Sequence, residues 1–127
     1  LRYQVEISGI TGENFTPTFI TPMRSTLDIV EYRDSHSSAV SHRPGVMRND
    51  VLVLSGPLPA DESLWQWYKN VSDGLLDKRS ASLIIKNAEG DDIQRFYFYE
   101  GWPCGYSIYP LTQTWRCEIV FDKMERA

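Results

Sequence analysis

A chain of 127 residues fits one domain, spanning 1–127, and can bury roughly two-thirds of its unfolded surface in a core. Its 42% hydrophobic and 24% charged residues are ordinary for a soluble globular protein, and no run of eighteen apolar residues offers a membrane-spanning helix. Thirteen basic residues against seventeen acidic give a net charge of −4, which argues against a surface that grips nucleic-acid phosphates, since that needs a basic patch.

The first element alternates: Tyr3, Val5 and Ile7 on one face, Gln4, Glu6 and Ser8 on the other. This pattern predicts a half-buried strand ending near Gly9. A second strand is expected within 15–20, interrupted by Pro17 and closed by Pro22, and a third over 26–33, with Leu27 and Ile29 on one face. From Asp34 to Asp50 the chain is polar, with Ser35, His36, Ser37, Ser38, Ser41, His42, Pro44 and Gly45. It reads as a long solvated excursion between strands, and loops of this length tend to be functional or disordered.

Val51, Leu52, Val53 and Leu54 form a short apolar run that suits a strand buried on both faces, broken by Gly56, Pro57 and Pro59. Asp61 is then a good N-cap, Glu62 suits the positive end of a helix dipole, and Gly74 is a natural stop. Leu64, Tyr68, Val71 and Leu75 recur at helical spacing, with Trp65 and Trp67 beside them. A helix this short is unstable alone, so it must dock; Leu64, Trp65, Tyr68 and Val71 are the expected docking residues.

Strand patterns return over 80–86 and 93–99, joined by the turn residues Asn87, Ala88, Glu89, Gly90 and Asp91. Gly101, Trp102 and Pro103 read as the end of the aromatic strand. Trp115, Cys117, Ile119 and Phe121 alternate with polar neighbours in a last strand, followed by a polar tail over 122–127. The expectation is a mainly β (α+β) fold. It has six or seven strands as a small barrel or sandwich, one helix packed on one side, and open edges that invite pairing.

Catalytic chemistry is hard to assemble. The two histidines sit in the polar segment without a scaffold, and no phosphate loop or nucleophile elbow is present. Asp91 and Asp92 fit a solvated hairpin tip. Cys104 and Cys117 match no zinc spacing and no disulfide framework, so free thiols are expected. No cofactor or metal is expected. The many aromatic residues fit a core, or a core extended into a subunit interface, equally well. No charged-then-apolar leader opens the chain, and a start at Leu1 leaves room for residues upstream.

Several stretches in order resemble the tail tube family of contractile phages and phage-tail-like injection particles, similar in fold to the type VI secretion tube protein. They are Glu31-Tyr32-Arg33 closing a strand, Arg43-Pro44-Gly45, an apolar strand ending at Gly56, Leu64 to Tyr68 on the helix, Trp102-Pro103, and Cys117 to Val120. Ser35 and Ser55 depart from the pattern. The resemblance implies a non-enzymatic subunit that forms homo-hexameric rings, stacked into a tube inside a sheath. Baseplate and terminator proteins would close its ends, and cargo protein or DNA would cross the bore without tight binding. Assembly in the bacterial cytoplasm is implied, within a phage tail or extracellular particle. A baseplate tube initiator or tail-terminal ring of the same family is the alternative; a monomeric ligand-binding barrel stands outside it. Asp34, His36, Ser41, His42, Arg43, Pro44 and Gly45 are the expected contacts between rings.

Overall fold

The computed structural model describes residues 3–10, 15, 17–20, 25–33, 39–49 and 51–126. Asp34, His36 and Asp50 lie outside the described residues. Among the described residues, nine strands and one helix follow in the order β1 (Tyr3–Ile7), β2 (Phe19–Ile20), β3 (Ser25–Arg33), β4 (Val40–Asn49), β5 (Leu52–Pro57), α1 (Glu62–Ser72), β6 (Arg79–Lys86), β7 (Asp92–Tyr109), β8 (Thr114–Val120) and β9 (Lys123–Arg126).

All pairings are antiparallel, and the main sheet runs β1-β6-β7-β8-β5-β2, with β9 added beside β7. The sheet does not close into a barrel: β1 ends one side of this path and β2 the other. The long β7 belongs to two halves. Its first half pairs with β6 and β9, its second half with β8. The expected stop at Gly101-Trp102-Pro103 is therefore a bend within one strand. Glu100 adopts φ 58° there, and the register slips between Pro103 and Gly105. Such a bulge turns a strand without ending its pairing.

The polar end of the chain is also a strand rather than a tail. Tyr99↔Lys123 carries on the register of Trp102↔Val120, so β9 prolongs β8 along the same side of β7. Of the stretch 15–20, only Phe19–Ile20 is strand. The apolar run begins its strand at Leu52, and Leu52, Val53 and Leu54 are buried as expected.

The core lies between the two halves of the sheet and the helix. Ile7, Leu52, Leu54, Trp115, Cys117 and Ile119 meet Leu64 and Trp67 of α1. Gly56 faces Trp115 across β5 and β8, and a Cβ there would stand 3.0 Å from three atoms of the indole. The glycine thus leaves room for the Trp115 indole against the neighbouring strand.

Asp61 caps the helix as its sequence indicated. Its carboxylate accepts from the backbone N–H of Ser63 at 2.8 Å and of Leu64 at 3.3 Å, and from the Ser63 hydroxyl. Gly74, at φ 92°, follows the C-cap Asp73. The docking face differs from the expected one. Leu64 is buried and Tyr68 and Val71 are half-buried, but Trp65 is 39% exposed while Trp67 is 1% exposed. At about 100° per residue, positions 64, 67 and 71 share the inner face and 65 falls on its flank.

A polar clamp fixes that docked helix. The Trp67 Nε1–H donates to the Asp77 carbonyl at 2.8 Å, and the Arg79 guanidinium lies 5.1 Å from the Trp67 ring centre. Arg79 also holds the Asp77 carboxylate through two hydrogen bonds of 3.0 Å and donates to the Ser8 carbonyl at 3.1 Å. One arginine therefore joins the helix exit, β6 and the end of β1.

Candidate assembly surfaces

The segment expected to be an unstructured polar loop is mostly strand. β4 pairs with β3 in register from Ser25↔Asn49 to Arg33↔Val40, and the two form a sheet of their own. Its strand character was hidden because it needs no buried face: hydrogen bonds to β3 hold it, and most of its side chains meet solvent. Pro44 and Gly45 sit where the register shifts, opposite the stretch Leu27/Ile29. A Cβ on Gly45 would stand 3.0 Å from the Asp28 Cβ and carbonyl and from Val30. Gly45 thus permits the bulge, and Pro44 is tolerated beside it.

The register sorts this arm into two faces. Asp28, Val30 and Tyr32 share one with Arg43 and Arg48. Arg48 Nε donates to both Asp28 carboxylate oxygens at 2.9 Å, which holds that carboxyl below its usual range, and Arg43 lies over Tyr32 at 6.0 Å. The other face carries Leu27, Ile29, Glu31 and Arg33, opposite Met47, Pro44, His42 and Val40. His42 Nε2 is 3.4 Å from Glu31. Leu27, Ile29, Val46 and Met47 are each more than half exposed. Ser41, His42, Arg43, Pro44 and Gly45 thus sit together on one projecting strand, while Glu31, Tyr32 and Arg33 end its partner strand. Gly56, Trp102 and Pro103 belong to the body, where Pro103 is buried under the bend.

Two further surfaces lie on the body, the first of them one of the open edges expected from the sequence. One is the open outer edge of β1, whose unpaired side carries no strand among the described residues. The other is a groove of about 750 Å³ lined by Leu58, Ala60, Glu62, Trp65, Tyr106 and Ile108, among others. Its wall is an aromatic cluster: the Trp65 ring lies 5.2 Å from Tyr106 and 5.9 Å from Tyr68. Burial first, and then Cys117, Glu62 and Asp61, push the Tyr106 hydroxyl pKa above its ordinary value. The alternation of Tyr106 and Ile108 would have exposed this strand, had the Gly-Trp-Pro stretch not been taken as its end.

No group of three His, Cys, Asp or Glu residues is placed to hold a metal among the described residues. Cys104 is exposed and Cys117 buried, both as free thiols, and burial pushes the Cys117 thiol up to about 12. No helix among the described residues is long and apolar enough to cross a membrane.

The described residues thus form an antiparallel β body with open edges, a docked helix and a paired arm whose apolar side chains meet solvent. The model of the T4-like virus tail tube protein gp19 family matches residues 1–119, and the chain belongs to that family of structural tail tube proteins. Among solved structures, it is similar to a chain of an extracellular contractile injection system, the PVC sheath/tube terminator in the extended state. That match has a TM-score of 0.80 at 16% identity and covers 99% of this chain and 93% of that one. A chain of the anti-feeding prophage baseplate matches with a TM-score of 0.79 at 10% identity, over 98% and 90%. Hcp1 from Flavobacterium johnsoniae matches with a TM-score of 0.61 at 13% identity, over 100% and 95%. At these identities the likeness is one of fold. No curated protein sequence matches the chain significantly.

Proposed function

We propose that the chain is the structural subunit of the inner tube of a contractile tail or injection particle, built as stacked homo-hexameric rings around an open bore. The observation that carries this reading is the arm. It has paired strands, a face bearing Leu27, Ile29, Pro44 and Met47, and no strand partner outside itself among the described residues. Exposed apolar surface of this kind marks an interaction site, and an arm leaving the body is free to reach another copy. The open β1 edge offers a second contact, since edge-to-edge pairing in a ring removes exposed edges and closes a heterologous interface.

A sheath would surround the tube, and baseplate and terminator proteins would cap it. Assembly takes place in the bacterial cytoplasm, before the particle is complete. DNA or effector protein passes without tight binding, because a chain of net charge −4 offers phosphates no basic track. A baseplate ring is the second reading, favoured by TM-scores as high for a baseplate chain as for a sheath–tube chain. Replacing the arm with a tight Asn-Gly turn tests the proposal. Closing a shorter loop costs little, so the body keeps its melting transition while sedimentation shows the loss of stacked species. Long tubes from the armless variant would overturn the role given to the arm.

A further inference from the structure

We propose that the apolar face of the arm of one copy seats in the groove beside α1 of a second copy, with Arg33 of the arm meeting Glu62 of the groove. The inference rests on the reading that copies of this chain associate, and goes beyond it by naming both halves of one contact. Leu27, Ile29, Pro44 and Met47 present a narrow apolar ribbon, the width of two paired strands. The groove between Leu58, Trp65, Tyr106 and Ile108 is an apolar depression on the body of about 750 Å³.

Charge selects between the body's depressions. On the arm's apolar face, Glu31 is met by His42, which leaves Arg33 without an ion-pair partner among the described residues. In the groove, Glu62 stands in the first turn of α1, likewise without an ion-pair partner among the described residues, and no basic residue lines the wall. The hollow beside Leu75 and Leu76 contains Lys78, which would repel Arg33. The hollow beside β1 contains Glu6, but Gln4 Nε2 already donates to it at 2.8 Å and the Ser82 hydroxyl at 3.4 Å. The groove beside α1 therefore offers aromatic walls and an unspent carboxylate together.

Charge reversal in the full chain tests this. Arg33→Glu and Glu62→Arg each place like charges across the contact and are expected to weaken association about tenfold, with the loss shrinking at high salt. The double variant restores association, while thermal melts of the unassembled subunit stay within a few degrees of one another. In a Cys104→Ser background, Ile29→Cys with Ile108→Cys is expected to form intermolecular disulfides on mild oxidation. If the wild-type chain associates but the double variant is no better than the singles and no cross-link forms, the pairing is wrong and the arm docks elsewhere. If the wild-type chain never associates at any concentration, the proposed function falls with it.

Discussion

Replacing Trp67 with alanine removes the anchor by which the helix docks. An indole of roughly 150–250 Å², withdrawn from water almost completely, is worth about 4–6 kcal/mol at about 25 cal/mol per Å². Measured truncations of this kind cluster at about 3–5 kcal/mol, because the site partly collapses. Two local terms add to the loss. The Asp77 carbonyl forfeits its 2.8 Å donor, and the Arg79 guanidinium loses the ring beneath it. Against a total stability of about 5–15 kcal/mol, this leaves a marginal body, so Trp67→Phe is the companion variant, expected to cost about 1–2 kcal/mol. Trp65→Ala removes a ring that is 39% exposed and, on the same area arithmetic, is expected to cost about 2–4 kcal/mol, less than the Trp67 truncation with its two added local losses. Urea titrations followed by circular dichroism give the comparison. A Trp65→Ala loss equal to or larger than that of Trp67→Ala would refute the assigned docking face.

Gly56→Ala is expected to destabilise by about 1–3 kcal/mol, since its Cβ would press on the buried Trp115 indole; an unchanged urea midpoint would contradict that packing. Asp77 is held below its ordinary value chiefly by hydrogen bonds from Arg79. Its contribution is fully present above pH 3.8 and is lost as pH falls through the depressed value, so Asp77→Asn should lower stability near neutrality and flatten the acid arm of the pH profile. Thiol titration should find one reactive cysteine per native chain, Cys104, and two after denaturation, because burial keeps the Cys117 thiol protonated at neutral pH. Two fast-reacting thiols in the folded chain would place Cys117 at the surface instead.

The elements legible from sequence were those whose stabilisation is local or whose burial is one-sided. Asp61 and Gly74 marked the helix because caps act within one turn. The turn from Asn87 to Asp91 was marked by its composition, and the Asn87 side chain indeed accepts from the Glu89 and Asp91 N–H groups. The apolar run ending at Leu54 announced its own burial. β4 and β9 were hidden because their partners stabilise them, not a buried face. Neither shows a clean apolar alternation, and β4 even contains Pro44 and Gly45. The continuation of β7 past Pro103 was hidden because a proline normally ends a central strand, whereas here it sits at a bulge. Trp65 and Trp67 were told apart only by the direction of docking, which a helical stripe two tryptophans wide leaves open. The assembly surfaces divided in the same way. The arm was visible as a long polar departure from the sheet, but its two faces depend on a register that shifts at Gly45. The groove beside α1 is made by residues from the helix, its preceding loop and the second half of β7, which only the bend brings together.

Electron microscopy of the purified chain, concentrated without sheath or baseplate, tests the central claim most directly. The account predicts sixfold rings with an open bore, and stacks of them at higher concentration. Featureless particles of a single 14.7 kDa chain at every concentration, with the native fold intact by circular dichroism, would contradict it.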